Sequence, residues 1–544
     1  MLSSIPDDVL VQILALIQES HPRSLYNLLF VKSTKHVAEA LLYQRVTIIC
    51  PDHQPWDIGS HWPAHKRLLE RLSNSQDHMR SLVRELTILD WKGPATPDFG
   101  VEKLERLVEN IQELVAFKWE SWPHIPTTVL STILTRFPTV QLYVKNIDRG
   151  RSSDGRYGRD TTLDLDLLHS PQLHSLELVV LQTGDYYCGP SQINSEFPVL
   201  RQLFHGNPNL RILRLGGFQE VCYSFYHFAK SYESFDTSGD GPLNLQFQKK
   251  DQFPTLVELV ILKKKYCIHD PGYDFSKEHC IAWKKVMDWK ALQKLDLGNA
   301  RPDDFFMIFC GHIPQLKSLK FRLNLGKDSS EDPVPLLRLT TRFLDSITGL
   351  EELEVADWTR AFFPDLCASI MSHGKSLNRL EINASERGNR NFPGWSAESL
   401  SQMLSELPKL RTLSIAVDIL RAPNRGWVGS LIWPTKPFSL LCGYPNIESL
   451  KIRIRLPEIR TVQAKIAHEN ISTLATDLFQ DFFRRDARSR LEIVEVQAQR
   501  IVDVFFESGI QGVTAKVGKS VSDDAPEPLD RGYTVEVDDT YDEF

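Results

Sequence analysis

Leu316-Lys317-Ser318-Leu319-Lys320-Phe321 is one copy of a six-residue pattern, apolar-x-x-apolar-x-apolar, on which the fold of this chain turns. Its last two apolar positions alternate with polar ones, the period of a strand that buries one face. The same pattern stands at Val83-Leu86-Ile88, Leu173-Leu176-Leu178, Leu210-Leu213-Leu215, Leu256-Leu259-Ile261 and Leu292-Leu295-Leu297. It continues at Leu350-Leu353-Val355, Leu377-Leu380-Ile382, Leu410-Leu413-Ile415 and Ile447-Leu450-Ile452, with a last copy at Leu491-Val494-Val496. Weaker copies sit near Ile111-Leu114 and Val140-Leu142. From Leu173 to Ile447 successive copies lie 24 to 46 residues apart, enough for a helix between strands. Pro335–Ile347, Pro364–His373 and Ala397–Leu407 are the clearest helical candidates. Proline precedes many copies, as in Phe253-Pro254-Thr255-Leu256, Ile313-Pro314-Gln315-Leu316 and Leu407-Pro408-Lys409-Leu410. There it stops a helix and hands the chain to the strand.

These copies resemble leucine-rich repeats. The resemblance implies an α/β fold: an irregular leucine-rich-repeat solenoid over residues 83–505, with parallel strands and helices on the return path. The period is irregular and the asparagine of regular repeats is mostly absent, which leaves the subclass open. Repeated short units argue against a doubly wound sheet built around one phosphate-binding βαβ unit. In a solenoid of this type the residues beside the inner leucines face the concave surface, which makes a column of Glu177, Arg214, Val260, Asp296, Lys320, Glu354, Glu381, Ser414, Lys451 and Glu495. Two readings of that column stay open. Opposite charges on adjacent strands can simply stabilise one another in water. Alternatively, Lys320, Arg322, Glu354, Lys451 and Arg453 form part of a mixed-charge face that binds a protein substrate. Insertions are further candidates. Residues 218–253 gather Tyr223, Phe225, Tyr226, Phe228, Tyr232 and Phe235, and residues 421–445 carry Trp427, Trp433 and Phe438. Aromatics outside the repeat period either pack their loop down or anchor a partner.

A different pattern precedes the repeats. Val9, Leu10, Ile13, Leu14 and Ile17 recur at helical spacing after Pro6, Asp7 and Asp8. His21-Pro22 breaks that helix, Ser24 can cap a second with Leu25, Leu28, Leu29 and Val31, and Val37, Ala38, Leu41 and Leu42 stripe a third. Three helices over ~40 residues are at the lower limit for a self-sufficient core. Ile5-Pro6-Asp7-Asp8-Val9-Leu10-x-x-Ile13-Leu14, then Leu28-Leu29-Phe30-Val31-Lys32-Ser33, then Leu41-Leu42-Tyr43-Gln44-Arg45-Val46 resemble the F-box as found in fungal proteins. Lys32 stands where the family has a small residue, and no tryptophan closes the third segment. The resemblance implies that residues 1–50 dock on the Skp-type adaptor of a cullin–RING ubiquitin ligase through Ile5, Pro6, Val9, Leu10, Ile13, Leu14, Leu28 and Val31. Residues 51–82, with an amphipathic Leu68–Met79, would be a helical linker. An F-box followed by leucine-rich repeats is itself a familiar family arrangement.

Composition sets the remaining bounds. Charged residues are 24% and apolar ones 42%, ordinary for a globular protein. No run of eighteen apolar residues exists, so no membrane span is expected, and Asp7 and Asp8 argue against a secretory signal. The eight cysteines are widely spaced, unlike a disulfide framework, and suit a reducing cytoplasmic or nuclear compartment. The net charge of −7 is concentrated at one end: residues 523–544 hold nine acids against Arg531, which leaves +1 for residues 1–522. A neutral body gives no basic face for nucleic acid. Residues 506–544 are expected to be a disordered, solubilising acidic tail.

Catalytic motifs are missing. Gly512 to Gly518-Lys519-Ser520 has five intervening residues where a phosphate loop needs four, and no apolar helix follows. Cys267-x-His269 and His279-Cys280 lack the paired spacing of a zinc site and adjoin Lys263-Lys264-Lys265. No cofactor or metal is therefore expected. The resemblance implies a non-catalytic substrate receptor, in which ligase subunits supply the chemistry and the solenoid supplies proximity. The competing expectation is a non-ligase interaction scaffold whose N-terminal helices only cap the solenoid. A cap should bury all of its apolar surface internally, whereas a docking module leaves part of it exposed.

Overall fold

The computed structural model describes residues 6–20, 24–50, 62–91, 99–121, 123–146, 163–184, 193–205, 207–221, 244–245, 247–262, 273–323, 334–358, 363–384, 397–418, 440–444, 446–455, 464–485, 490–504, 507–519 and 533–541. The chain divides into two compact units, Met1–Leu256 and Val257–Phe544.

The first unit opens with three helices, α1 (Asp7–Ser20), α2 (Ser24–Leu28) and α3 (Lys35–Gln44). Strands and helices then alternate: β1 (Arg45–Ile49), α4 (Trp62–Ser73), β2 (Glu85–Leu89), α5 (Val101–Asn110), β3 (Ala116–Glu120), α6 (Thr127–Arg136), β4 (Gln141–Asn146), α7 (Leu165–Leu168), β5 (Leu173–Gly184), β6 (Ile193–Ser195), α8 (Phe197–Phe204) and β7 (Ile212–Val221). β1 to β5 pair in sequence and in parallel, and β7 joins β5 in parallel. Among the described strands of this unit only the short β6 runs antiparallel, against the end of β5.

The second unit repeats the scheme. Its elements are β8 (Glu258–Leu262), α9 (Lys277–Val286), β9 (Lys294–Asp296), α10 (Asp303–Phe309), β10 (Ser318–Arg322), α11 (Val334–Asp345), β11 (Glu352–Trp358), α12 (Phe363–Met371), β12 (Arg379–Ala384), α13 (Ala397–Glu406), β13 (Thr412–Asp418), β14 (Ser449–Arg455), α14 (Ala464–Arg485), β15 (Ile493–Val504), β16 (Glu507–Lys519) and β17 (Tyr533–Tyr541). β8 to β15 form a parallel ladder. β16 and β17 then add antiparallel neighbours.

Parallel pairing follows from the connections, because a helix between two strands returns the chain to the same end of the sheet. Successive helices pack on one another, α4 on α5, α5 on α6, α9 on α10, α10 on α11 and α11 on α12. The apolar pattern explains the register. Leu295, Leu319, Leu353, Leu380, Leu413, Leu450 and Val494 align across seven strands and are all buried. Phe321, Val355, Ile382, Ile415, Ile452 and Val496 make a second buried row. A one-residue slip would turn both rows outward, at about 1.5–3 kcal/mol for each exposed side chain. The short α10 is compensated by aromatics: Trp289 and Phe309 lie 4.1 Å apart, and Phe306 stacks on Phe343 at 4.4 Å.

Prolines brace successive units as well as ending helices. The Pro138 carbonyl accepts from Gln172 Nε2 (3.2 Å), that of Pro171 from Asn209 Nδ2 (2.8 Å) and that of Pro408 from Asn446 Nδ2 (3.1 Å). Thr348 reaches the Pro314 carbonyl in the same way, 2.9 Å from its hydroxyl.

Three boundaries differ from the sequence expectation. The parallel ladder begins at Arg45, not Val83: Val46 and Ile48 align with Leu86 and Ile88 and are buried. Most of segment 51–82 is thus the return path of a first unit, whose helix is Trp62–Ser73 and not Leu68–Met79. Asn74 follows that helix, and Asp77 caps a separate 3-10 turn, His78–Ser81. The weak copies at Ile111-Leu114 and Val140-Leu142 are full units whose strand residues are Phe117-Trp119 and Leu142-Val144. Finally, within the segment expected to be a disordered tail, the described residues 507–519 and 533–541 are strands. β16 pairs with β15 over Glu507–Gly518, and acidic β17 pairs with β16, with Glu536 opposite Lys516. Alternation through Val513, Ala515 and Val517 lets β16 extend the sheet despite the charge beyond it.

Candidate recognition surfaces

The three N-terminal helices share one small core. Leu10 and Leu14 on α1, Leu25 on α2, and Val37 and Ala38 on α3 are buried, with Ile17, Leu28, Leu29, Leu41 and Leu42 packed against them. Leu10, Leu14 and Ile17 are one stripe at i, i+4, i+7. A second stripe with the same spacing, Val9, Ile13 and Leu16, faces away from the core. Ile13 is 40% exposed and Leu16 65%, against 2% for Leu14.

A second apolar group follows α2. Phe30 is 90% exposed, with Tyr26 and Val31 exposed beside it in sequence. It is held on a hydrogen-bonded turn. The amides of Phe30 and Val31 donate to the carbonyls of Asn27 and Leu28, and the Thr34 hydroxyl lies 2.9 Å from the Leu28 carbonyl. The turn therefore presents an aromatic ring to solvent from a satisfied backbone.

The residues expected to dock on an adaptor thus separate. Pro6, Val9, Ile13 and Val31 are exposed, Leu28 is half-buried, and Ile5 lies outside the described residues. Leu10 and Leu14 are buried in the module's own core. Val11, Leu16, Tyr26 and Phe30 are further exposed apolar residues that the family pattern does not include, and the period of α1 marks Leu16 as the continuation of Val9 and Ile13.

The module is joined firmly to the ladder. The Arg84 amide donates to the Gln44 carbonyl at the end of α3 (2.9 Å), and Glu39 lies 3.5 Å from His78. Arg71 sits 5.9 Å over the Tyr43 ring and is clamped by Asp77 at 2.9 Å, a contact that lowers the Asp77 pKa.

On the sheet face opposite the helices, the predicted column is in register in each unit. In the second unit it runs Val260, Asp296, Lys320, Glu354, Glu381, Ser414, Lys451 and Glu495 across eight strands. In the first, Lys145, Glu177 and Arg214 align. Most charges on this face are answered by a neighbouring strand. Lys320 reaches Glu354 (3.2 Å) and Asp296 (3.8 Å), Lys451 reaches Glu495 (2.5 Å), and Arg214 reaches Glu177 (2.8 Å). Burial raises the Asp296 pKa, while a hydrogen bond from the Gly298 amide opposes the shift. Arg379 pairs with Glu381 on its own strand. In the first unit Lys118 bonds Glu85 (3.1 Å) and lies 5.6 Å from the Tyr143 ring. Lys320 and Lys451 are therefore both paired with acids on adjacent strands. Arg322 lies on the same face, opposite Ala356, and Arg453 lies opposite Ala416 and Gln497. Trp427, Trp433, Phe438 and the aromatics from Tyr223 to Phe235 lie outside the described residues.

Two other sequence features acquire a structural role. His279 and Cys280 are buried in α9, with His279 Nε2 2.9 Å from the Tyr273 hydroxyl. Burial pushes His279 down to about 3 and raises the Cys280 thiol. Gly512 to Lys519 is extended strand, not a loop at a helix N-terminus. Among the described residues no group of three or more His, Cys, Asp and Glu could hold a metal ion. No described helix is long and apolar enough to cross a membrane.

Comparison with protein-family models finds no match, and comparison with curated proteins finds none either.

Proposed function

We propose that this chain is the substrate-recognition subunit of a cullin–RING ubiquitin ligase, a non-catalytic receptor acting in the cytoplasm or nucleus. In this reading the N-terminal module is an F-box that docks on a Skp-type adaptor, and the leucine-rich-repeat face binds the protein to be modified. The observation that carries it is the second apolar stripe of α1. A three-helix module with its own core still exposes Val9, Ile13 and Leu16, together with Phe30 on a hydrogen-bonded turn. Exposed apolar residues concentrated on one small element mark a docking surface. Ubiquitin transfer would come from proximity, with the conjugating enzyme brought near lysines of the bound substrate.

The test is co-expression of the full chain with a Skp-type adaptor, followed by size-exclusion chromatography. A stoichiometric complex that Leu16→Asp abolishes supports the receptor reading. A well-folded full chain that never co-elutes with the adaptor removes it.

One observation favours the alternative, a scaffold with a helical cap and no ligase role. α3 leads directly into β1 and is tied to the ladder at Gln44, as a cap would be. The two readings differ over Val9, Ile13 and Leu16: a cap is expected to bury such residues internally, whereas a docking module covers them with its partner.

A further inference from the structure

Four polar atoms on the outward face of the second unit are buried without a hydrogen-bond partner: Asn383 Oδ1, Ser414 Oγ, Arg453 Nε and Gln497 Oε1. They come from four successive strands, β12 to β15. Ala416 stands opposite Arg453, which stands opposite Gln497, and Ser414 stands opposite Lys451. Asn383 follows Ile382, the partner of Ile415, and so sits beside the Ala416 row. Each unmet buried polar atom costs roughly 1–3 kcal/mol, and such atoms are rare in folded proteins. Three in one row, with a fourth in the adjoining outward row, call for a physical account.

The side chains supply one. On β13 the outward residues Ser414 and Ala416 are small, while Glu381 and Asn383 stand on one flank and Lys451 and Arg453 on the other. By side-chain size this outlines a trough about one strand wide, floored by the buried Ser414 and Ala416. The charges around it are mostly cancelled, Arg379 by Glu381 and Lys451 by Glu495. Among the described residues Arg453 has no ion-pair partner. Among the described side chains one unpaired positive charge therefore remains, beside a hydroxyl and two side-chain amides able to donate or accept.

We propose that this trough binds an extended segment of a partner protein by one carboxylate side chain, Asp or Glu, seated against the Arg453 guanidinium. The Ser414 hydroxyl and the amides of Asn383 and Gln497 complete its hydrogen bonds. A guanidinium edge offers two parallel N–H groups to a carboxylate, and Nε is one of them. Ser414 and Ala416 are two residues apart, the repeat of one face of an extended chain. A carboxylate fits better than a phosphate. The single free charge of Arg453 balances one negative charge, whereas a phosphoryl group carries nearly two and calls for a cluster of cations. This inference deepens the substrate-face part of the proposed function and rests on it, but not on adaptor docking.

The experiment uses the full chain and four pools of fluorescein-labelled nonapeptides with randomised flanks and a fixed central residue: Glu, Asp, phosphoserine or Gln. Binding is read by fluorescence anisotropy, folding by thermal unfolding, and adaptor co-elution in parallel. The Glu or Asp pool should bind at least roughly tenfold more tightly than the Gln pool, the scale of one charge-assisted hydrogen-bonded contact. Arg453→Gln should erase that preference, and Ala416→Leu, which fills the trough, should abolish binding. Ser414→Ala should weaken binding while leaving the melting temperature unchanged or higher, since it removes an unsatisfied atom. The proposal is overturned if the pools bind alike, if phosphoserine binds most tightly, if no pool binds, or if Arg453→Gln binds like the native chain. Loss of adaptor co-elution with acidic-peptide binding intact would count against the ligase reading alone. Co-elution without peptide binding would count against this inference alone.

Discussion

Exchanging neighbours on α1 separates folding from docking. Leu14 is 2% exposed and Ile13 40%, so two adjacent residues of similar volume belong to opposite stripes. Leu14→Ala empties part of a core built from only five fully buried side chains. Large-to-small changes at such sites cost about 2–5 kcal/mol, enough to unfold a three-helix module of this size. Ile13→Asp removes little packing and places a carboxylate in water, so it should cost the isolated chain no more than about 1 kcal/mol. In the docked state the balance reverses. Val9, Ile13, Leu16 and Phe30 together leave the equivalent of about two full side chains uncovered, which corresponds to roughly 4–5 kcal/mol of docking free energy. A buried carboxylate in that patch forfeits its share of this and adds an unpaired charge, so affinity for the adaptor should fall by roughly a hundredfold or more. The assay is isothermal titration of purified full chain with adaptor, alongside circular dichroism and thermal melts. Ile13→Asp that melts like the native chain but fails to bind is the expected result. Undiminished adaptor affinity in a well-folded Ile13→Asp chain would refute the reasoning, as would Leu14→Ala that leaves helicity and melting unaltered.

Three further outcomes follow from the second unit. Burial holds His279 at about 3, below its ordinary value, so the unfolded chain binds this proton more readily. The associated stability is complete above about pH 6.5 and falls by about 1.4 kcal/mol per pH unit on acidification toward pH 3. Urea unfolding at pH 7 and pH 5 should differ by about 2 kcal/mol more in the native chain than in His279→Gln, and equal differences would remove the buried neutral imidazole from the account. Gly298 has φ +58° after β9, and a Cβ there would lie 2.5 Å from the Ile261 carbonyl oxygen. Gly298→Ala should cost at least about 2 kcal/mol by chemical denaturation, from left-handed backbone strain and displacement of β8. A change under about 0.5 kcal/mol would contradict that close approach. The ladder of ion pairs makes a weaker demand. A double-mutant cycle on Lys451 and Glu495, both partly exposed, should give a coupling of about 0.5–1 kcal/mol that shrinks in salt. A coupling of several kcal/mol would mean that this face is far drier than its exposure indicates.

Read along the chain, the apolar-x-x-apolar-x-apolar pattern determined the parallel ladder, its register and the outward column, because a two-residue period leaves one burial solution per strand. The inner face of α1 was equally legible from its helical period. Other features depended on partners distant in sequence. Arg45–Ile49 reads as the end of a helical module, and only pairing with β2 makes it a first strand. β17 is too acidic to be identified as a strand by composition, yet backbone pairing with β16 organises it. Lys320 and Lys451 look like free cations in one dimension. Their neutralisation by Glu354 and Glu495, 34 and 44 residues away, needs adjacent strands to be in place. The family pattern could not separate Leu10 and Leu14 from Val9 and Ile13, since all four are apolar and only packing against α2 and α3 decides which are used up. Sequence alone determined which residues must be buried somewhere. Tertiary structure decided which polar and apolar groups remain unmet, because burial and pairing depend on neighbours distant in sequence.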